Sequence, residues 1–339
     1  MKLLVSTLEP SGNLHLKALL EYMPQDTHIL GIFEGIDNGV QLYSSSEFGV
    51  MGLTAVLPKI LKGKKALRQM VKLAENVDKV LLIDAPAFNL PLAKAIKEKC
   101  PNKEIIYYIL PKVWAWREKR KEAIEKYIDK QISIFPFEKE FYPNSLYFGN
   151  PVMNEITELK DSVSSNGITA FFAGSRKSEI RALMPLYRKL VKQIDGEKTL
   201  VISPHFEDIS IYGDISDFRV VRNSGKALKE ADFAYICSGT ATLESAIVGT
   251  PFVLLYKMSR LEFAIAKRFV KLKYVGLPNI IFEKLGKGIF HKEFLQHFPI
   301  KELLYVRKTA NSEKFLKNSK EIRGLLKGDL SRVAEEIIR

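Results

Sequence analysis

Short apolar runs of strand length alternate with stretches where apolar residues recur at helical spacing along most of the chain. In the first half the runs cover 2–7, 28–33, 79–84, 104–110, 131–135 and 146–148. Helical patterns lie between them at 14–22, 54–73, 89–99 and 117–127. A strand buried on both faces reads as near-continuous apolar sequence, and helical crossovers make such strands parallel. The pattern resets over 154–166, which is polar and without a period and predicts a linker. A second alternation follows. Strands are expected at 168–173, 199–203, 219–222, 233–238 and 252–256, with helices up to 194 and over 225–231 and 240–248. The expected fold class is therefore α/β, with two doubly wound Rossmann-like domains, residues 1–153 and 154–317. In that arrangement the carboxyl ends of both sheets face a cleft.

Residues 318–339 read as an amphipathic helix bent or broken at Gly328. Leu330, Val333, Ile337 and Ile338 lie on one side of it and need a surface to cover, for which the first domain is the expected partner.

Charge narrows the partners. Of 339 residues, 52 are Lys or Arg and 39 are Asp or Glu, a net charge of +13. Residues 51–130 carry most of the excess, with 18 basic and 9 acidic side chains. Such a surface attracts anionic lipid, phosphorylated substrate or nucleic acid. No zinc-finger spacing, RNP-like motif or basic low-complexity tail is present, so nucleic acid is not the expected partner. No apolar run reaches the roughly 18 residues of a membrane span. The first residues lack a signal peptide's apolar region and cleavage site, and Cys100 and Cys237 stand unpaired. Both features predict a reducing, cytoplasmic location.

Five junctions carry candidate chemistry. Glu9-Pro10-Ser11-Gly12-Asn13 follows the first strand, and its Gly permits close backbone approach at a helix start. It serves equally as an ordinary loop with Asn13 as the helix cap. Asp84 stands at a strand end before Ala85-Pro86-Ala87-Phe88-Asn89, where it is either a general base or a loop cap. Trp114 and Trp116, the two tryptophans of the chain, precede Arg117 and read as a wall for a sugar or acyl chain, or as core. Gly174-Ser175-Arg176 at a strand-to-helix turn fits a diphosphate, with Arg176 able to bind it in bidentate fashion, or is a plain helix start with a solvated Arg. Ser238-Gly239-Thr240 opens another helix, and Glu244 one turn on either accepts from ribose hydroxyls or lies on a solvated helix face. No DxD triplet, P-loop or GxSxG elbow is present and the five His are scattered, so neither a metal nor a cofactor is expected.

Taken together, Glu9-Pro10-Ser11-Gly12, Val50-Met51-Gly52, Ile83-Asp84-Ala85-Pro86-Ala87-Phe88-Asn89, Val113-Trp114-Ala115-Trp116-Arg117, Phe135-Pro136-Phe137-Glu138, Gly174-Ser175-Arg176, Ser238-Gly239-Thr240-Ala241-Thr242-Leu243-Glu244 and Leu277-Pro278-Asn279 resemble the lipid-A-disaccharide synthase family. The resemblance implies the GT-B glycosyltransferase fold, with an acceptor-side first domain and a UDP-sugar-binding second domain. It implies inverting transfer of 2,3-diacylglucosamine from its UDP derivative to 2,3-diacylglucosamine 1-phosphate, giving a β-1,6 disaccharide phosphate and UDP in lipid A biosynthesis. Asp84 and Arg176 match the family residues tied most closely to activity. The UDP side is expected to use Gly174, Ser175, Arg176, Ser238, Gly239, Thr240, Glu244 and Asn279. The acceptor or lipid side is expected to use Glu9, Ser11, Gly12, Asn13, Met51, Asn89, Trp114, Trp116 and Arg117.

The chain departs from the family pattern at Asn13 (usually Asp), Asn150 (usually His), Ala173 (usually Pro) and Leu110-Pro111-Lys112 (usually Ser-Pro-Ser). Acylated substrates require a lipid surface. Residues 48–73 join an apolar stripe to Lys59, Lys62, Lys64, Lys65 and Arg68, with Pro58 expected to kink or divide the helix; the stripe serves equally as ordinary core packing. Residues 261–272 are a second candidate. Peripheral association with the cytoplasmic face of the inner membrane is expected, and a homodimer is left open. A UDP-sugar epimerase of the same architecture and a non-catalytic lipid-binding protein are the alternative readings.

Overall fold

The computed structural model describes residues 1–37, 39–48, 56–163, 165–203, 206–259 and 272–339, with the side chains of 56–60 outside that description. In the first half, β1 (Lys2–Thr7), α1 (Pro10–Leu20), β2 (His28–Ile32), β3 (Gly39–Tyr43), α2 (Val56–Ala74), β4 (Lys79–Ile83), α3 (Pro86–Lys99), β5 (Glu104–Tyr108), α4 (Arg120–Tyr127), β6 (Lys130–Ser133) and β7 (Leu146–Tyr147) follow one another. The short α5 (Val152–Glu155) opens the second half. After it come β8 (Ile168–Phe172), α6 (Lys177–Leu190), β9 (Glu197–Val201), β10 (Arg219–Val221), α7 (Ser224–Glu230), β11 (Phe233–Cys237), α8 (Thr240–Val248) and β12 (Phe252–Tyr256). The chain ends with α9 (Leu277–Lys284), β13 (Lys292–Leu295), α10 (Ile300–Lys308), α11 (Ser312–Leu326) and α12 (Leu330–Ile338).

The strands form two wholly parallel sheets, ordered β3-β2-β1-β4-β5-β6-β7 and β10-β9-β8-β11-β12-β13. The chain divides into two compact units, Met1–Pro151 with Leu326–Arg339, and Val152–Leu325. In the first unit the sheet and its helices bury Leu4, Leu82, Ile105 and Tyr107 together with Ala66, Met70 and Ala74 of α2. That i, i+4, i+8 row is the apolar stripe of an amphipathic helix. In the second unit Phe171, Tyr187, Leu200 and Tyr235 share a core with Ile180, Leu183 and Met184 of α6.

The C-terminal segment returns to the first unit through a close approach of two glycines. A Cβ on Gly149 would stand 2.1 Å from the Gly328 Cα, and φ is +98° at Gly149. The Asn150 amide donates to the Leu326 carbonyl at 2.9 Å and the Asp329 amide to the Phe148 carbonyl at 2.8 Å. Beyond this crossing, α12 buries Leu330, Val333, Ala334 and Ile337. Lys79 Nζ donates to the Ile338 carbonyl at 3.0 Å and Lys130 Nζ to the Glu336 carbonyl at 2.8 Å. Cations at the last turn complement the helix dipole.

Several expectations shift. α1 starts at Pro10, with Glu9 as its N-cap, so Asn13 lies inside the helix. Proline suits the first helical positions because no intrahelical acceptor awaits its missing N–H. Pro58 falls in the first turn of α2 for the same reason, and that helix runs on unbroken to Ala74. The edge strands β3 and β13 went unread. Both are short and mix exposed apolar residues (Val40, Leu295) with Gly39, Gln41, Lys292 and Glu293, so neither gives a continuous buried apolar run. Residues 261–271 and Val50, Met51 and Leu53 of the first lipid-facing candidate lie outside the described residues.

Candidate functional site

Ligands of open parallel sheets bind outside the carboxyl ends of strands, where the strand order reverses. In the first sheet that point lies between β1 and β4. Gly12 is needed there, since a Cβ would stand 2.2 Å from Thr7 Oγ1. Asn13 ties three loops together. Its Oδ1 accepts from the Glu34 amide at 2.9 Å, and its Nδ2 donates to Ser45 Oγ at 2.7 Å. Ser45 Oγ in turn donates to Glu34 Oε2 at 3.0 Å. An ionised Asp could accept but not donate, so the amide at position 13 matches its partners in this chain.

Asp84 leaves β4 with φ of +47°, and Ala85 follows at +45°. Two consecutive left-handed residues other than glycine store strain of about 1–3 kcal/mol each. The backbone around them is held tightly. The Asp84 amide donates to the Tyr108 carbonyl at 3.1 Å. Its carbonyl accepts from Asn89 Nδ2 at 2.8 Å and from the Tyr107 hydroxyl at 2.5 Å. The Asp84 side chain remains half-exposed at the strand end. Burial first, and the Asp84 charge second, push the Tyr107 phenol well above its ordinary pKa.

The next loop, after β5, carries the tryptophans. Trp114 is buried, packs edge-on against Phe135 and Phe137, and donates from Nε1 to Glu138 Oε1 at 3.0 Å. Glu138 is fully buried and also accepts from the Ile134 and Phe135 amides, each at 3.0 Å. Burial raises its pKa to about 6, against the lowering effect of those donors. Trp116 is 45% exposed, with the guanidinium carbons of Arg117 and Arg120 at 4.4 and 5.3 Å from its ring centre.

In the second sheet the order reverses between β8 and β11. A cavity of about 180 Å³ opens there, lined in part by Gly174, Ser175, Ser203, Arg222, Ser224 and Glu244. Ser238, Gly239 and Thr240 line it too, from the start of α8. No side chain caps that start, so its first amides are not spent on a side-chain acceptor. The opposite loop is built on Gly174, at φ +97°, where a Cβ would stand 2.4 Å from Glu179 Oε2. That carboxylate oxygen accepts from the Ser175 and Arg176 amides at 3.1 and 3.2 Å. Arg176 Nη1 pairs with Glu179 Oε1 at 3.1 Å while the arginine side chain stays 74% exposed, so it is free to turn to a ligand. Glu244 accepts from Ser224 Oγ at 2.5 Å, and burial raises its pKa.

A family model described as lipid-A-disaccharide synthetase matches residues 3–331. The chain belongs to this family. It is 47% identical to lipid-A-disaccharide synthase of Campylobacter jejuni strain RM1221, over 86% of each chain. It is 41% identical to the enzyme of that name from Helicobacter pylori strain 26695, over 99% of this chain and 97% of the relative. The fold matches a crystal structure of MurG from Acinetobacter baumannii with TM-score 0.58 at 14% identity, covering 99% of this chain and 98% of that one. The calicheamicin glycosyltransferase CalG4 gives 0.58 at 12%, covering 99% and 97%. A putative UDP-N-acetylglucosamine 2-epimerase from Listeria monocytogenes gives 0.55 at 15%, covering 99% and 94%. These likenesses establish the two-unit GT-B fold.

Within this family member the expected residues separate by burial. Gly174, Ser175, Ser238, Gly239, Thr240 and Glu244 line one cavity. Glu9, Ser11 and Arg117 are exposed near the ends of first-unit strands, and Met51 lies outside the described residues. Asn89, Trp114 and Asn279 are buried, with exposures of 0%, 7% and 1%. Asn89 is committed to Ser6, Ile83 and Asp84. Asn279 accepts from the Phe290 and His291 amides and donates to the His291 carbonyl and Glu293. Asn89 and Asn279 hold backbone in place, the Trp114 indole N–H is spent on Glu138, and none of the three presents a free polar group to a ligand. Arg120, Ser203, Arg222 and Ser224 went unread at sequence level. Arg222 and Ser224 follow a strand end on a βα loop, which is the available signal.

Proposed function

We propose that this chain acts as a lipid-A-disaccharide synthase. The 6-hydroxyl of 2,3-diacylglucosamine 1-phosphate attacks the anomeric carbon of UDP-2,3-diacylglucosamine. The carbon–oxygen bond to UDP breaks, UDP leaves with the bonding electrons, and the hydroxyl proton passes to the Asp84 carboxylate. Direct displacement inverts the anomeric centre. The observation that carries this reading is the pair of switch-point sites in a chain of this family. One holds a strained carboxylate at Asp84. The other holds Gly174, Ser175 and the first residues of α8 around an open cavity, with Arg176 beside it. Arg176 and the α8 amides supply charge stabilisation to the leaving diphosphate. Glu244 accepts from the ribose.

The two residues separate experimentally. General-base catalysis contributes ~10²–10⁴-fold, so Asp84→Asn lowers kcat by about that factor and leaves UDP affinity near that of the parent chain. Arg176→Ala weakens UDP binding by ~1.5–3 kcal/mol, the worth of a charge-assisted hydrogen bond. Calorimetry with UDP beside steady-state kinetics checks both. Near-parental kcat in both variants would sink the assignment. Turnover of UDP-N-acetylglucosamine without a lipid acceptor would favour the epimerase reading instead.

Acylated substrates place the enzyme at a lipid surface. Among the described residues no helix is long and apolar enough to cross a membrane. Leu61 of α2 is 65% exposed, beside Lys62, Lys64 and Lys65. Peripheral, electrostatic association with the inner membrane's cytoplasmic face follows, at about 1 kcal/mol per basic residue near an anionic surface and screened by salt. Flotation with anionic vesicles that survives high salt, or equals flotation with neutral vesicles, would count against it.

A further inference from the structure

Arg117 and Arg120 are an unusual pair. Both guanidiniums sit on one exposed indole, Trp116, although like charges repel. Arg117 reaches its place through a left-handed backbone, with φ of +53°. Arg120 is half-buried. Burial first, and the Arg117 charge second, lower its pKa, and the charges of Tyr107, Tyr142 and Asp84 act the other way. Among the described residues neither guanidinium forms an ion pair with a carboxylate. A partly buried cation, Arg120, and an exposed one, Arg117, are thus held together by cation–π contact with strain in the backbone, and among the described residues neither has a carboxylate in ion-pair contact.

Their position says which anion. The loop that carries them leaves β5, and Asp84 leaves β4, its immediate neighbour in the sheet. Asp84 is near enough for its charge to act on Arg120. A hexosamine 1-phosphate carries its 6-hydroxymethyl and its anomeric phosphate on the two carbons that flank the ring oxygen. Such a sugar carries a nucleophile at one end and an anion at the other, the chemical complement of a carboxylate and a cation pair on neighbouring loops. The planar fork of arginine matches phosphate oxygens in bidentate fashion.

We propose that Arg117 and Arg120, pinned by Trp116, form the subsite for the anomeric phosphate of the acceptor sugar, and so select a phosphorylated acceptor. The proposal rests on the synthase reading for the identity of the sugar. It makes Arg120 a binding residue, and Trp116 a positioning residue that keeps both cations in place.

Trp116 also reports occupancy. The intact chain is titrated with α-glucosamine 1-phosphate, glucosamine and inorganic phosphate, and indole emission is followed. A saturable change with the sugar phosphate, weaker with inorganic phosphate and absent with glucosamine, is expected. The change disappears in Trp116→Phe. Arg120→Ala and Arg117→Ala each weaken it by roughly 10- to 100-fold, Arg120→Lys by less, while UDP affinity shows that the variants are folded. In turnover, the KM for the lipid acceptor rises by a similar factor in Arg120→Ala and kcat changes far less. Parental affinity in Arg120→Ala overturns the subsite. Equal binding of inorganic phosphate and sugar phosphate overturns its link to the sugar. No disaccharide formation by the parent chain, with sugar-phosphate binding intact and arginine-dependent, would instead remove the synthase reading and leave the phosphate site standing.

Discussion

The Asn89 side chain and the Asp84 main chain form one fixed unit, with Nδ2 2.8 Å from the Asp84 carbonyl oxygen. The same amide accepts from Ser6 Oγ at 2.7 Å, so one buried residue of α3 joins the ends of β1 and β4. Asp84 projects from a left-handed turn because this amide and the Tyr107 hydroxyl satisfy its carbonyl.

Asn89→Ala therefore leaves buried backbone and hydroxyl groups without partners and is expected to cost about 1–3 kcal/mol. It also releases the Asp84 turn. Urea denaturation should show the loss, and kcat should fall while UDP affinity holds. A variant with full kcat would mean that Asn89 does not position Asp84.

Gly174→Ala places a methyl group 2.4 Å from Glu179 Oε2, 2.8 Å from Glu179 Cβ and 3.1 Å from Cys237 Sγ, at a φ of +97°. Strain of about 1–3 kcal/mol is expected. Glu179 must move, and with it the Ser175 and Arg176 amides it holds. UDP affinity measured by calorimetry should drop at least roughly tenfold, the equivalent of 1.4 kcal/mol. Unchanged affinity would place the nucleotide elsewhere.

Glu138 gives the protein a pH signature. Its folded pKa of about 6 lies above the ordinary 4.5, because burial disfavours the ionised form. The folded state then holds the extra proton between those values, so stability falls as pH rises from about 4.5 to about 6. The shift corresponds to about 2 kcal/mol at ~1.4 kcal/mol per pH unit. Glu138→Gln cannot titrate, so the stability difference between parent and variant should change across that window and level off above it. Urea midpoints at pH 4.5, 5.5 and 7 test this, and parallel pH dependence in the two chains would contradict it.

Gly328→Ala sets a methyl group 2.2 Å from the Phe148 carbonyl oxygen and 2.5 Å from the Gly149 Cα. Backbone cannot yield as a side chain can, so overpacking of about 1–3 kcal/mol is the expected minimum. The terminal helix should become sensitive to proteolysis before the rest of the chain. Equal resistance would show that the crossing has slack.

How far the sequence was legible follows from burial. Strands such as Lys79–Ile83 and Phe233–Cys237 are buried along almost their whole length, and their apolar runs announce them. Gly39–Tyr43 lies at a sheet edge with half-exposed side chains, and its period is lost among Gly and polar neighbours. The same contrast holds at the site. Glycines and hydroxyls at strand-to-helix turns are readable because few roles need them there, and Gly174, Ser238 and Thr240 do share a cavity. Asn89, Trp114 and Asn279 carry equally distinctive motifs, yet a sequence does not say whether a polar group faces a ligand or its own backbone. Arg120 was missed because an arginine amid lysines on a helix start reads as solvated surface, and only the indole beneath it sets it apart.

The return of residues 326–339 to the first unit makes the second unit an insertion within the first. A chain stopped at Pro151 would thus lack part of its own fold, and α1 would lose a neighbouring helix. The covalent order of the pieces matters less than their company. Met1 precedes β1, and β1 pairs with β4, whose Lys79 holds the last carbonyl of α12. Both chain ends belong to the same unit, so a circular permutant that joins them by a short linker and opens the chain between α5 and β8 should keep every strand pairing of both sheets.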